Sequence, residues 1–361
     1  MGLDSYVSLG RSGLAVSPFC LGAMNFGEDF GTGCGVEEAE EIISRYLERG
    51  GNFVDTANFY TNTHSEKIIG DYFAARPGLR DRVVIATKFF TNLHPGDPNG
   101  GGANRKAVLA QVDESLRRLR TDYIDLYWLH NYDAATPLEE TLRVLDDLVT
   151  AGKIRYVGFS DTPAWYTARA DVVAAFRGWS PVVALQLEYS LLERTIEGEL
   201  IPLAEHTGMA VLPWGPLKNG FLAGTYTRER PVPADSRRAG VYGIRPTDAQ
   251  FDVIEAVTAV AEESGASPAA VALAWVRGRP GVTSTLIGPR RLDHLEANLA
   301  ALDLTLTRDQ RAALDSVSSP ALNFPAALNR ESAPMLQYAG ATVNGRPTSV
   351  YPLLLDNPAR Y

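Results

Sequence analysis

The segment DLYWLH, residues 125–130, decides how this chain folds. It is short, aromatic and branched, and it ends in a histidine. Alternation along a strand puts Leu126, Trp128 and His130 on one side. The flanking segments NRKAVLAQVDESLRRLR (104–120) and PLEETLRVLDDLVTAG (137–152) carry helical periodicity instead. One strand between two helices predicts a β/α unit.

Working outward, seven more runs repeat that pattern: FCLG (19–22), NFVD (52–55), VVIATK (83–88), IRYVGFS (154–160), VVALQ (182–186), MAVLPW (209–214) and TSTLIG (283–288). Between them lie VEEAEEIISRYLERG (36–50), SEKIIGDYFAA (65–75), PAWYTARADVVAAFRG (163–178) and GELIPLAEHTG (198–208). TDAQFDVIEAVTAVAEESG (247–265) and SPAAVALAWVRG (267–278) precede the eighth run, and RLDHLEANLAAL (291–302) follows it. Ser65 reads as an N-cap, and Pro137 and Pro163 stand where a first helical turn tolerates proline. Eight short strands, each followed by helix, predict an α/β chain folded as a parallel (β/α)8 TIM barrel. A doubly wound sheet would show a glycine-rich phosphate turn after its first strand. GTGCG (31–35) is the nearest approach; it lacks the third glycine and lies well past its strand.

YVSLGRSGLAVS (6–17) reads as a β-hairpin ahead of the barrel, placed to cover its floor. A Gly/Pro/Arg-rich connection spans 215–246, and NGGGANRK (99–106) belongs to a mobile loop over the mouth. The whole of 1–361 reads as one barrel domain, with 320–361 as an irregular C-terminal extension that drapes over the mouth, contacts a partner or is solvated. A homo-oligomer stays open.

The chain has 361 residues, 45% hydrophobic and 21% charged, enough to bury a core without staples. With 34 basic and 43 acidic residues its net charge is -9, which disfavours nucleic acid as a partner. Cys20 and Cys34 could in principle pair, but nothing else suggests a disulfide scaffold, so a reducing cytoplasm is expected. The N-terminus has no apolar signal region, and no apolar run approaches ~18 residues, so no membrane partner is expected. The five histidines are scattered, with no metal-ligand spacing, no G-x-S-x-G elbow and no Walker loop, so no metal site is predicted.

In a barrel of this kind, chemistry gathers at the carboxyl ends of the strands. Asp55, Lys88, His130, Ser160, Gln186 and Trp214 end successive runs. A lysine ending an apolar strand needs a partner, and Asp55 on the neighbouring strand supplies one. Tyr60 lies on the loop above them. A phenol titrates near ~10, and a nearby ammonium lowers such a value by roughly 1–3 units, which makes Tyr60 a usable proton donor. Taken singly, each residue has an ordinary reading: a structural ion pair, a rim histidine, a loop aromatic. Together at one end of consecutive strands they read as a catalytic constellation.

With these residues in place, the chain resembles the aldo-keto reductase superfamily over roughly 5–320. The motifs are GGNFVDTANFYTNTHSEKIIG (50–70), the lysine of IATKFF (85–90), RLRTDYIDLYWLH (118–130), AGKIRYVGFSD (151–161) and IGPRRLDHLEANL (287–299). The resemblance implies a catalytic tetrad of Asp55, Tyr60, Lys88 and His130, with Tyr60 the acid, and a nicotinamide cofactor, NADP(H), bound without a Rossmann fold. It implies that Ser160 and Gln186 hold the carboxamide, that Trp214 stacks on the nicotinamide, and that Gly22 and Met24 flank it. It places Leu217, Lys218 and Gly220 around the pyrophosphate, Arg290 at the 2′-phosphate, and His294 and Asn298 near the adenine, with Gly215 and Gly288 also among the cofactor-binding residues. Asp55 lies beside this cofactor site as well.

Three positions depart from the family pattern. Asp161 stands where Asn is usual, and an ionised carboxylate accepts from an amide but cannot donate to its oxygen. His294 and Ala297 replace residues common in relatives. The implied reaction is NADPH-dependent reduction of an aldehyde or ketone, with a small-molecule carbonyl, aromatic or sugar-derived, as partner. Phe26, Phe59, Phe89, Phe90, Trp128 and Tyr132 are expected near the mouth, as a substrate wall or as barrel filling. A nucleotide-sensing regulatory protein on the same fold is the alternative, and an unrelated barrel enzyme such as a lyase is a third.

Overall fold

The computed structural model describes residues 2–230 and 246–355. Residues 231–245 of the 215–246 connection, and the tail beyond 355, lie outside the described residues. Strands β1 (Val7–Ser8) and β2 (Ala15–Val16) pair as the antiparallel hairpin expected at the N-terminus. Eight parallel strands follow: β3 (Phe19–Gly22), β4 (Phe53–Asp55), β5 (Val84–Phe89), β6 (Ile124–Leu129), β7 (Ile154–Ser160), β8 (Val182–Glu188), β9 (Ala210–Trp214) and β10 (Thr285–Ile287). Their order is β10-β3-β4-β5-β6-β7-β8-β9. A parallel bridge between Val211 and Val282 brings β9 to the segment entering β10, so the sheet closes into the predicted (β/α)8 barrel.

Alternation decides which side chain faces inward. Cys20, Phe53, Val84, Ala86, Leu126, Trp128, Ala184, Ala210, Leu212 and Leu286 pack together in the interior. Their neighbours Leu21, Val54, Ile85, Tyr127, Leu129 and Val211 pack outward against the helices. Leu9 and Val16 of the hairpin join the interior cluster with no exposure, so the hairpin does cover the floor. Gly158 on β7 makes room for the Trp128 indole: a Cβ there would sit 2.3 Å from Trp128 Cε3.

The surrounding helices bury one face each. Leu138–Thr150 buries Leu138, Thr141, Leu142, Leu145 and Leu148, a stripe at helical spacing. Asn104 caps Arg105–Leu119 by accepting from Ala107 N at 3.0 Å. Ser65 does not cap: the helix runs His64–Ala74, and the buried Ser65 hydroxyl donates to the Ala23 carbonyl at 2.7 Å. The loop expected to be mobile is braced, since Ala103 N donates to Asp133 Oδ2 at 2.8 Å and Gly102 N to Phe90 O at 2.7 Å. Both cysteines are free and buried.

The extension after 320 is more ordered than its composition suggests. It holds helices Ala326–Glu331, Ala333–Tyr338 and Pro352–Leu355 and a hairpin of Thr342–Val343 with Arg346–Pro347. Its first helix docks on the segment after β8, where Arg330 Nη2 donates to Glu197 Oε2 at 3.2 Å. A cavity of about 460 Å³ lies beside that contact, walled by Glu197, Ile201, Arg279, Ala326 and Arg330; no tetrad residue lines it. No helix among the described residues is long and apolar enough to cross a membrane.

Candidate active site

The alternation that fills the barrel also delivers its polar mouth. Phe53 and Asp55 share one side of β4, and Val84, Ala86 and Lys88 share one side of β5. The apolar members pack in the interior, and the last residue of each series is Asp55 or Lys88. Lys88 Nζ pairs with Asp55 Oδ2 and also donates to the Thr56 carbonyl at 2.8 Å. Gln186 Nε2 donates to Asp55 Oδ1 at 3.1 Å. Lys88 is 0% and Asp55 1% exposed. The ammonium lies 4.8 Å from the Tyr60 ring centroid, and the His130 ring stands edge-on to Tyr60 at 5.8 Å. The four residues expected as a tetrad therefore converge.

Tyr60 opens an unusual turn. Thr61, Asn62 and Thr63 have φ of 46°, 52° and 75°, left-handed values that cost non-glycine residues energy. Side-chain hydrogen bonds hold the turn in place. Thr61 Oγ1 donates to Phe26 O at 2.6 Å and accepts from Ser65 N at 3.1 Å. Asn58 Nδ2 donates to Thr91 O at 3.0 Å and to Gln111 Oε1 at 2.9 Å, which ties the loop to β5 and its helix. The segment ANFYTNTHS thus fixes the phenol above Lys88.

Burial works to discharge the Lys88 ammonium, but Asp55 and Tyr60 outweigh it and hold its pKa above the ordinary lysine value. Burial likewise pushes the Asp55 carboxyl up against the pull of Lys88 and Gln186. For Tyr60 the expected lowering does not occur. Burial raises the phenol by more than Lys88 lowers it, and Asp55 and Asp161 add to the rise. A dry pocket disfavours the phenolate, so Tyr60 is held protonated as a donor. Burial, and then Lys88, depress His130 to about 2, so the imidazole is neutral. Its Nδ1 is buried without a hydrogen-bond partner among the described residues.

The remaining predicted residues ring the same end. Ser160 and Gln186 are buried register partners on β7 and β8. Trp214 ends β9, and its Nε1 donates to Asp161 Oδ1 at 3.0 Å. Gly215 has a φ of +64°. Leu217, Lys218 and Gly220 follow in a tight turn in which Lys218, Asn219 and Gly220 all have positive φ. Gly22 ends β3, and Met24 beyond it is 43% exposed. Gly288 follows β10, and its carbonyl accepts from Asn25 Nδ2 at 2.9 Å. Arg291 pairs with Asp293, whereas Arg290 makes no ion pair or side-chain hydrogen bond among the described residues. His294 and the buried Asn298 lie on helix Leu292–Leu299.

The aldo/keto reductase family model matches residues 18–319. The chain belongs to the aldo/keto reductase family. It is 34% identical over 330 residues to norsolorinic acid reductase of Emericella nidulans, covering 89% of this chain and 83% of that protein. An NADP(+) aryl-alcohol dehydrogenase of Phanerodontia chrysosporium is 35% identical over 330 residues, 87% and 85% of the two chains. An uncharacterized oxidoreductase of Bacillus subtilis is 36% identical over 313 residues, 84% and 93%. As an aldo/keto reductase the chain is an oxidoreductase of the carbonyl-reducing class, acting on a small molecule with a nicotinamide cofactor.

Several groups in this aldo/keto reductase site escaped the sequence reading. Glu188 pairs with Lys218; its spacing of two from Gln186 put it on the same side of β8, a legible signal. Asn25 and the Thr56 carbonyl gave none. Among the aromatics, Phe59 stacks near both Tyr60 and His130, at 5.1 and 5.5 Å. Phe89 instead faces the helix layer beside Tyr127, and Trp128 fills the barrel. Phe30, 6.2 Å from Phe59, and Trp165, 5.9 Å from Tyr132, were missed.

Proposed function

We propose that this chain reduces an aldehyde or ketone with NADPH, with Tyr60 as proton donor. The observation that carries the reading is the buried Lys88–Asp55 pair beside a phenol that burial keeps protonated. Tyr60 gives its proton to the alkoxide oxygen as that oxygen gains charge. Lys88 stabilises the phenolate left behind, and Asp55 with Gln186 holds Lys88 in place. His130, being neutral, offers one ring N–H to the carbonyl oxygen. When bound, the reduced nicotinamide supplies the hydride.

The residues present fit such a cofactor. Ser160 and Gln186 are placed for its carboxamide, with Asp161 beside them, and Trp214 for stacking between Gly22 and Met24. Gly215, Leu217 and Gly220 line the path of the pyrophosphate; Lys218 joins them by exchanging its Glu188 partner. Arg290, without an ion pair among the described residues and close to Gly288 in sequence, suits a 2′-phosphate, because a guanidinium binds phosphate in a fork. His294 and Asn298 flank the adenine. The name of the Phanerodontia relative supports NADP and an aryl substrate, and Phe30, Phe59 and Trp165 suit a flat ring. Two free cysteines suit the cytoplasm.

The test is a fluorescence titration with NADPH and NADH, then a panel of aryl aldehydes, aliphatic aldehydes and keto-sugars scored by loss of NADPH. Turnover of aryl carbonyls is expected. NADPH binding without turnover on any carbonyl would favour a sensor, and no binding would sink the proposal. Arg290→Ala should weaken NADPH by about tenfold or more, the worth of a charged hydrogen bond, and spare NADH.

A further inference from the structure

The Trp214 indole does not stand free at the mouth. Its N–H is engaged by Asp161, a residue from two strands away. Asp161 follows β7, adopts a left-handed φ of +44°, and donates its own N–H to the Gln186 carbonyl at 3.2 Å. That turn carries its carboxylate across β8 to Trp214 on β9. No cation pairs with it among the described residues. The neighbouring carboxylate, Glu188, is paired with Lys218. Among the described residues Asp161 is therefore a carboxylate of this rim with no cation paired to it, and its charge is felt at Tyr60.

We propose that Asp161 is a positioning residue that, through its charge and its hold on Trp214, makes this site bind oxidised nicotinamide nucleotide in preference to reduced. The inference rests on the cofactor placement proposed above. Hydride loss turns the neutral dihydronicotinamide ring into a cation. Two effects then act with the same sign. The carboxylate attracts that cation directly, across a site of low dielectric. The indole face attracts it as well, because a cation over an aromatic ring is stabilised by the ring quadrupole. An N–H···O⁻ bond adds electron density to the indole and strengthens that attraction. Neither effect acts on the neutral ring. Burial, opposed by the Trp214 hydrogen bond and reinforced by Glu188, pushes the Asp161 carboxyl up to about 6, so it is ionised at pH 8. The outcome is an internal equilibrium displaced toward bound NADP+, with the overall equilibrium of the reaction untouched.

The experiment is direct titration of the full chain with NADP+ and with NADPH at pH 8, for the wild type and for Asp161→Asn. Asparagine keeps the acceptor for Trp214 and removes the charge. The ratio of the two dissociation constants should move about five- to tenfold against NADP+, the size expected of one partly screened charge. Asp161→Ser, which drops the charge without an amide and adds no β-branch at this left-handed φ, carries the same expectation and covers a folding failure of the first variant. Equal weakening of both nucleotides would mark Asp161 as merely structural and overturn the proposal, as would an unchanged ratio. Failure of the wild type to bind either nucleotide would instead strike the cofactor placement itself.

Discussion

Gln186 Nε2 donates to Asp55 Oδ1 at 3.1 Å, joining side chains 131 positions apart in the chain. Asp55 is thereby held on both oxygens, by Lys88 on one and by an amide on the other. Removing one member of a buried ion pair strands the other charge. Lys88→Met should lower stability by about 3–5 kcal/mol in urea unfolding. The double variant Lys88→Met/Asp55→Leu should be less destabilised than the sum of its parts, because no charge is left alone. Additivity within error would mean that the pair contributes nothing as a unit.

Tyr60→Phe deletes the donor and keeps the ring that packs against Phe59 and His130. Carbonyl reduction should fall by about 10²–10⁴-fold, the usual worth of a placed acid, while NADPH binding stays near the wild-type value. Retained turnover would remove Tyr60 from its role.

His130 gives a pH signature in stability. Its folded value of about 2 lies below the ordinary 6.5, so the unfolded chain takes up the proton first. The native state therefore carries no penalty from His130 above pH 6.5. Below it the penalty grows as pH falls toward 2, at up to about 1.4 kcal/mol per pH unit. His130→Gln should flatten acid unfolding in that window, as read by urea midpoints at pH 5 and pH 7. Parallel pH dependence in both proteins would refute the buried neutral ring.

The contact of the tail rests on Glu197, which is 9% exposed and accepts from Tyr189, Arg194 and Arg330. Burial works against its carboxylate, but Arg194 and Tyr189 more than offset it and hold the pKa below the usual value. Its stabilising contribution is present above that usual value and is lost as pH falls. Glu197→Gln should cost several times more than Arg330→Ala, whose half-exposed guanidinium is worth up to about 1 kcal/mol. Thermal unfolding of the two variants checks the order, and equal losses would contradict it.

Sequence alone determined the eight strands, their parallel closure and the residues at their ends. Period-two alternation is local, and it fixes which side chains share a face before any contact forms. Asp55, Lys88 and His130 were legible for that reason, and the hairpin under the floor was legible from the turn residues of RSG (11–13). The tertiary structure decided what each polar group meets and therefore how it titrates. Tyr60 shows the difference: the sequence gives its ammonium neighbour, but the direction of its shift follows from how completely the mouth is dried, which depends on side chains from many strands. The Asp161–Trp214 and Glu188–Lys218 pairs are of the same kind. Each joins residues from separate β/α units, and hydrogen bonding depends on distance in space, which spacing along a chain does not encode.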